Sequence, residues 1–143
     1  MTVENNLNPS LKNRPLPTII QDTARFWESA REHAVELQKC DECGYWRFYP
    51  GPVCHSCGSF AYTWTPISGK GKIWTYTVLY RARGNAYQDD VPIAIGLIEL
   101  EEGAILMSNI IDCQPEDLKI GLEVIIDYGA INDEVTLPLF RLA

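Results

Sequence analysis

Four cysteines in two matched pairs constrain this chain more than any other feature. The stretch Cys40-Asp41-Glu42-Cys43-Gly44 is followed, with ten residues between Cys43 and Cys54, by Cys54-His55-Ser56-Cys57-Gly58. A Cys-x-x-Cys turn places two sulfurs on one side of a tight knuckle, and two knuckles supply the four thiolates of a tetrahedral zinc site. Gly44 and Gly58 each follow a second cysteine, where the backbone turns left-handed and glycine fits without strain. The spacing therefore predicts a zinc ribbon with Cys40, Cys43, Cys54 and Cys57 as ligands of one structural zinc. Such a metal contributes on the order of 10 kcal/mol to folding. Four thiolates leave no open coordination position, so His55 reads as a solvent-facing knuckle residue. Two disulfides would require an oxidising compartment, which nothing in the chain suggests.

The chain is 143 residues long with net charge −7. It has no long apolar run and no signal-like start, which leads to the expectation of a cytoplasmic, non-membrane protein. Charge is unevenly spread. Residues 1–38 sum to −1, residues 39–83 to +4 and residues 84–143 to −10. An anionic ligand should meet the positive middle segment, while the acidic remainder argues against a broad nucleic-acid surface.

The organisation expected is a tail over 1–21, a helix and ribbon over 22–66, and a β domain over 67–143. The tail is proline-containing, and its apolar patch Leu16–Ile20 reads equally as a partner-binding arm or as a strap on the chain's own domain. A helix over 22–33 starts at Asp22, places Phe26, Ala30 and Ala34 on one face and spaces Glu28 and Arg31 for a pair. Strands are expected at 35–39, 45–49 and 60–66. From residue 69 the texture is all β, with strands at 71–82, 93–100, 104–111, 121–131 and 136–141. A single helical turn with Pro115 at its first position falls between the third and fourth of these. Five strands with this connection predict a small closed barrel, best matched by the OB-fold.

The chain resembles the DUF35, or OB-fold acyl-CoA-associated, proteins over about residues 24–141. The parts that match are Arg25-Phe26-Trp27-Glu28, Leu37-Gln38-Lys39-Cys40, Phe48-Tyr49-Pro50, Cys54 to Gly58, and Ser68 to Lys72 leading to Tyr76-Thr77-Val78. Further on come Pro92-Ile93-Ala94, Glu99 to Gly103, Lys119-Ile120-Gly121 and Leu137 to Arg141. Lys70 and Lys72 together depart from the single basic residue more usual there. The resemblance implies a helix, a rubredoxin-like zinc ribbon and an OB barrel. It also implies a non-catalytic small subunit that docks to a thiolase-like or hot-dog hydratase-like enzyme acting on coenzyme A thioesters. Degradation of aromatic or steroid-type acyl groups, and acyl condensation, are both open.

Coenzyme A presents phosphates and an adenine ring, so cations beside aromatics are its expected contacts. Arg47, Lys70, Lys72, Arg81 and Arg83 are the candidates. The same residues, interleaved with Trp46, Phe48, Trp64, Trp74 and Tyr76, leave a single-stranded nucleic-acid binder as an alternative. No catalytic residues are assigned. Cys113 lacks a base by motif and sits near acids that disfavour its thiolate, so it reads as structural. The pairs Asp89/Asp90 and Glu101/Glu102 read as solvated loop residues.

Overall fold

The computed structural model describes residues 7–11 and 13–143. The rest of the expected tail lies outside them. Helix α1 (Ala24–Arg31) is the one α-helix among the described residues. Thr23, not Asp22, occupies its N-cap position. Glu28 pairs with Arg25 at 3.0 Å, and Arg25 also binds Glu36 at the start of the next strand. That ties the helix to the ribbon. Phe26 and Ala30 are buried within the chain's own core.

Three strands form the ribbon sheet: β1 (Glu36–Cys40), β2 (Trp46–Arg47) and β3 (Tyr62–Pro66), in the order β2-β1-β3. Arg47 explains why so thin a layer holds together. It is fully buried, and its guanidinium donates to the carbonyls of Gly51, Ser59 and Ala61 at 3.1, 3.2 and 3.5 Å. It also lies 4.9 Å from the Tyr62 ring centroid. The Ser59 and Ala61 carbonyls also accept from the Cys54 and Asp41 N–H groups, so the guanidinium joins them as a second donor and binds Gly51 besides, tying the knuckle loops to one buried cation. Gln38, equally buried, accepts from the Gly51 N–H at 2.9 Å.

The second body is a closed barrel of β4 (Lys70–Leu79), β5 (Ile93–Leu100), β6 (Ile105–Ile111), β7 (Glu123–Ala130) and β8 (Thr136–Leu142), ordered β4-β5-β6-β8-β7. All pairings are antiparallel except β6 with β8. This is the five-stranded OB topology. A single 3-10 turn, Pro115–Asp117, links β6 to β7. The barrel closes tightly where glycine permits it: a Cβ on Gly71 would stand 2.6 Å from the Glu99 carbonyl oxygen. Register slips at Ile73/Thr75, so Trp74 bulges outward and is exposed.

Ribbon, helix and barrel share one hydrophobic core. Phe26, Val35 and Leu37 belong to the same buried cluster as Ile73, Ile98, Leu106 and Phe140. The N-terminal segment joins it as well. Leu7 is buried, its N–H donates to the Cys113 carbonyl at 2.9 Å, and its own carbonyl accepts from Asp112 at 3.0 Å. The strap is therefore Leu7–Leu11, while Leu16, Ile19 and Ile20 stay exposed.

Candidate metal centre and ligand groove

The knuckles bring four sulfurs together. The ligand atoms of Cys40, Cys43, Cys54 and Cys57 all lie within 4.8 Å of one another. The Cys40–Cys57 and Cys43–Cys54 pairs are each 3.6 Å apart. A tetrahedron with metal–sulfur bonds of 2.3 Å has edges of about 3.8 Å, whereas a disulfide holds its sulfurs at about 2.05 Å. The set fits one zinc ion and no disulfide. Gly44 and Gly58 have φ of 77° and 78°, as the knuckle turns require. The Cys43 N–H, outweighing burial, holds the Cys40 thiol down to about 6. Although the Ser59 N–H favours the Cys57 thiolate, burial and the neighbouring sulfurs push that thiol up to about 12. Zinc takes its cysteine ligands as thiolates and supplies the positive charge that offsets their close approach.

The five cations expected at a coenzyme A site are not brought together. Arg47 is spent inside the ribbon, as described above, and presents no free donor face to a ligand. That expectation is corrected: periodicity places Arg47 on a strand, but only the fold shows its loop carbonyls converging on it. Lys70 and Lys72 line a shallow cleft shared with Glu99, Glu101 and Glu123. Arg81 and Arg83 lie past the far end of β4. At roughly 3.3 Å per residue the strand separates the two groups by about 20 Å, so they cannot share one phosphate.

Arg81 and Arg83 instead line a groove of about 710 Å³ between the α1–ribbon layer and the outer face of the barrel. Trp27, Phe48 and Tyr49 form one wall, and Ile95, Met107 and Leu139 the other. The Trp27 indole N–H donates to the Tyr49 hydroxyl at 2.8 Å, which fixes both rings.

Arg14, which lines this groove, and Asp90, which holds it, were invisible in the sequence. Asp90 is buried, contrary to the expectation of a solvated loop acid. It accepts from the Ser10 N–H and hydroxyl at 2.9 and 2.8 Å, and from Arg14 at 3.5 Å. Burial raises its pKa, but the Ser10 donors and the Arg14 charge outweigh burial and hold it below the usual carboxylate range. Arg14, which also lines the groove, comes from a segment with no periodic signal. Asp90 and Arg14 stand 76 positions apart, so no local pattern links them. Cys113 is buried at a strand end, and burial with Asp117 and Asp112 pushes its thiol up to about 11. It is therefore protonated at neutral pH, as the acids around it suggested.

Among the described residues, no helix is long and apolar enough to cross a membrane.

Comparison with known proteins agrees with this architecture. A family model described as the rubredoxin-like zinc ribbon domain of ChsH2 matches residues 27–63, and one for the ChsH2 C-terminal OB-fold domain matches residues 64–128. A DUF35 domain-containing scaffold protein of Methanocaldococcus jannaschii is 33% identical over 112 residues, covering 77% of this chain and 79% of that protein. A probable enoyl-CoA hydratase alpha subunit of Thermomonospora curvata is 35% identical over 130 residues, covering 91% of this chain. The chain spans only 40% of that relative's length. A solved structure described as an Ltp2-ChsH2(DUF35) aldolase has a chain 33% identical, with a TM-score of 0.78, covering 89% of this chain and 98% of that one. The chain belongs to the DUF35 family, as a rubredoxin-like zinc ribbon followed by an OB-fold barrel.

Proposed function

We propose that this chain is a non-catalytic scaffold subunit that docks to a thiolase-type enzyme acting on coenzyme A thioesters and contributes contacts to the coenzyme. The observation that supports docking best is the likeness, over most of both chains, to the DUF35 component of an aldolase whose name joins it to a second component. The exposed apolar side chains of Leu16, Ile19 and Ile20 are consistent with a surface that another protein covers. A hot-dog hydratase is the second reading of the partner, favoured by the enoyl-CoA hydratase alpha subunit among the relatives. Of the five expected cations, Arg81 and Arg83 carry the coenzyme A reading, because they stand free beside an apolar groove. Lys70 and Lys72 would meet only a different part of the coenzyme.

Co-expression with a thiolase-like or hydratase-like partner tests the docking. Co-elution at micromolar concentration is expected, and separate elution from both classes overturns it. Calorimetry of the complex tests the coenzyme contacts. Arg81→Ala or Arg83→Ala should weaken coenzyme A about tenfold, the value of one charge-assisted contact. Affinities within twofold of wild type for both would leave a subunit that acts by docking alone.

A further inference from the structure

The four ribbon cysteines are not equivalent. Cys40 and Cys54 are each 2% exposed, whereas Cys43 and Cys57 are open to solvent. Both 3.6 Å sulfur contacts cross from one knuckle to the other. Each joins an exposed sulfur to a buried one: Cys57 to Cys40, and Cys43 to Cys54. As zinc ligands all four are thiolates, and the thiolate is the form an oxidant reacts with. Susceptibility among thiolates follows exposure. Cys43 and Cys57 are therefore the points of attack, and each has a second sulfur in contact behind it. Cys113 is 7% exposed and belongs to neither pair.

We infer that the ribbon is an oxidation site for hydroperoxides. Cys57 and Cys43 are oxidised first, Cys40 and Cys54 resolve them, and two disulfides across the knuckles take the place of the metal. The Cys57 thiolate attacks the oxygen of ROOH that carries the hydrogen. An S–O bond forms, the O–O bond breaks, and RO⁻ leaves to take a proton from water. Cys57 is then a sulfenic acid, which condenses with a neighbouring thiolate. The Cys40 thiolate attacks its sulfur, an S–S bond forms, the S–O bond breaks and hydroxide leaves. One hydroperoxide has gained two electrons and two thiolates have lost them. The same sequence at Cys43 and Cys54 consumes a second hydroperoxide. No thiolate then remains to hold zinc, which has no redox chemistry and passes to solvent as the same dication.

The fold favours these pairs over disulfides within each knuckle. A disulfide holds its sulfurs about 2.05 Å apart, so each contact closes by about 1.5 Å. Bonds spanning 17 and 11 positions tie one knuckle to the other, as the metal does. Cys40–Cys43 and Cys54–Cys57 bonds would leave the knuckles unlinked. Longer closed loops also restrict the unfolded chain more. The turns have backbone support of their own: Gly44 N–H donates to the Cys40 carbonyl at 3.0 Å, and Gly58 N–H to the Cys54 carbonyl at 2.9 Å. The oxidised ribbon therefore keeps its shape without zinc, unlike a chelated one. The inference rests on the four cysteines as zinc ligands and adds which of them pair when the metal is lost.

The test uses the full, zinc-loaded chain and tert-butyl hydroperoxide. Metal analysis comes first, and a purified chain without zinc removes the ligand assignment together with this inference. With zinc present, a chromogenic chelator reports release against a control without peroxide. Two hydroperoxides should be consumed and four thiols lost per zinc released, with Cys113 still free. After acid quenching and alkylation, peptide mapping by tandem mass spectrometry should find Cys40–Cys57 and Cys43–Cys54. Dimedone present during oxidation should label Cys43 and Cys57 at least tenfold more than Cys40 and Cys54. No label alongside the two cross-knuckle bonds also supports the pairing, with resolution faster than trapping. The oxidised, zinc-free chain should keep the tryptophan fluorescence of the zinc-loaded one, and dithiothreitol with zinc should restore the metal. Bonds within the knuckles, label on Cys40 or Cys54 instead, or oxidation straight to sulfinic acids overturns the inference. So does zinc retained with four free ribbon thiols after excess peroxide, which leaves the metal site standing as purely structural.

Discussion

Arg47 shows how one residue's role is decided by what surrounds it. With one buried guanidinium bridging three carbonyls, Arg47→Met should cost about 1.5–3 kcal/mol, because it removes charge-assisted hydrogen bonds that hold the ribbon loops together. Thermal denaturation of the zinc-bound protein measures this, and coenzyme A affinity should stay within twofold. A tenfold loss of affinity in a fully folded variant would return Arg47 to the ligand site. Glycines separate in the same manner. Gly44 and Gly69 both have φ near 80°, but a Cβ on Gly44 meets nothing within 4 Å, while one on Gly69 would stand 2.3 Å from an Ile126 methyl. Gly44→Ala should cost about 1–2 kcal/mol of backbone strain. Gly69→Ala should cost a further 1–3 kcal/mol or so for overpacking. Equal melting temperatures for the two variants would contradict this.

At the scale of elements, the strap Leu7–Leu11 and the loop before β5 are held together by Asp90. Its folded pKa lies below the ordinary carboxyl value, which is near 3.9 in an unfolded chain. A depressed acid stabilises the fold above its unfolded pKa, and that contribution disappears as pH falls through the folded value. Asp90→Asn removes the contribution at every pH. Wild type should therefore melt above Asp90→Asn at neutral pH, and the gap should close below about pH 4. A gap that stays constant to pH 3 or so would mean that the contact does not depend on charge. The loop bearing Arg81 and Arg83 leads into this contact, so the strap also helps define the groove.

Over the whole molecule, the zinc ribbon and the barrel are joined by a continuous core rather than by a linker. Removing the metal therefore acts beyond the knuckles. Purified protein should contain one zinc per chain, and Cys54→Ser should lose it. Loss of zinc should unfold the ribbon and leave the barrel strands partly intact, seen as retained far-ultraviolet dichroism with altered tryptophan fluorescence. Full metal content in Cys54→Ser would remove Cys54 from the ligand set. A chelator should give the same partly unfolded state in wild type, because metal binding and ribbon folding are one equilibrium.

Sequence alone determined what depends on short-range chemistry. The two Cys-x-x-Cys knuckles with Gly44 and Gly58 specify a metal site, because ligand spacing and left-handed turns are local properties. The barrel strands are legible in runs such as Ile73 to Val78, where β-branched and aromatic residues favour extended backbone. Pro115 marks its turn for the same reason. Tertiary structure decided which polar residues face solvent and which face each other. Arg47, a surface cation by composition, is buried because the connection from β2 to β3 folds three of its carbonyls around it. Asp90, one of two adjacent loop acids, is buried because Ser10 and Arg14 arrive from the far end of the chain. Lys70 and Lys72 fall in a shallow cleft and Arg81 and Arg83 in a groove, because a ten-residue strand carries charges apart as it crosses the barrel. Local pattern encodes backbone conformation; the partners of a charge are set by chain segments that meet only on folding.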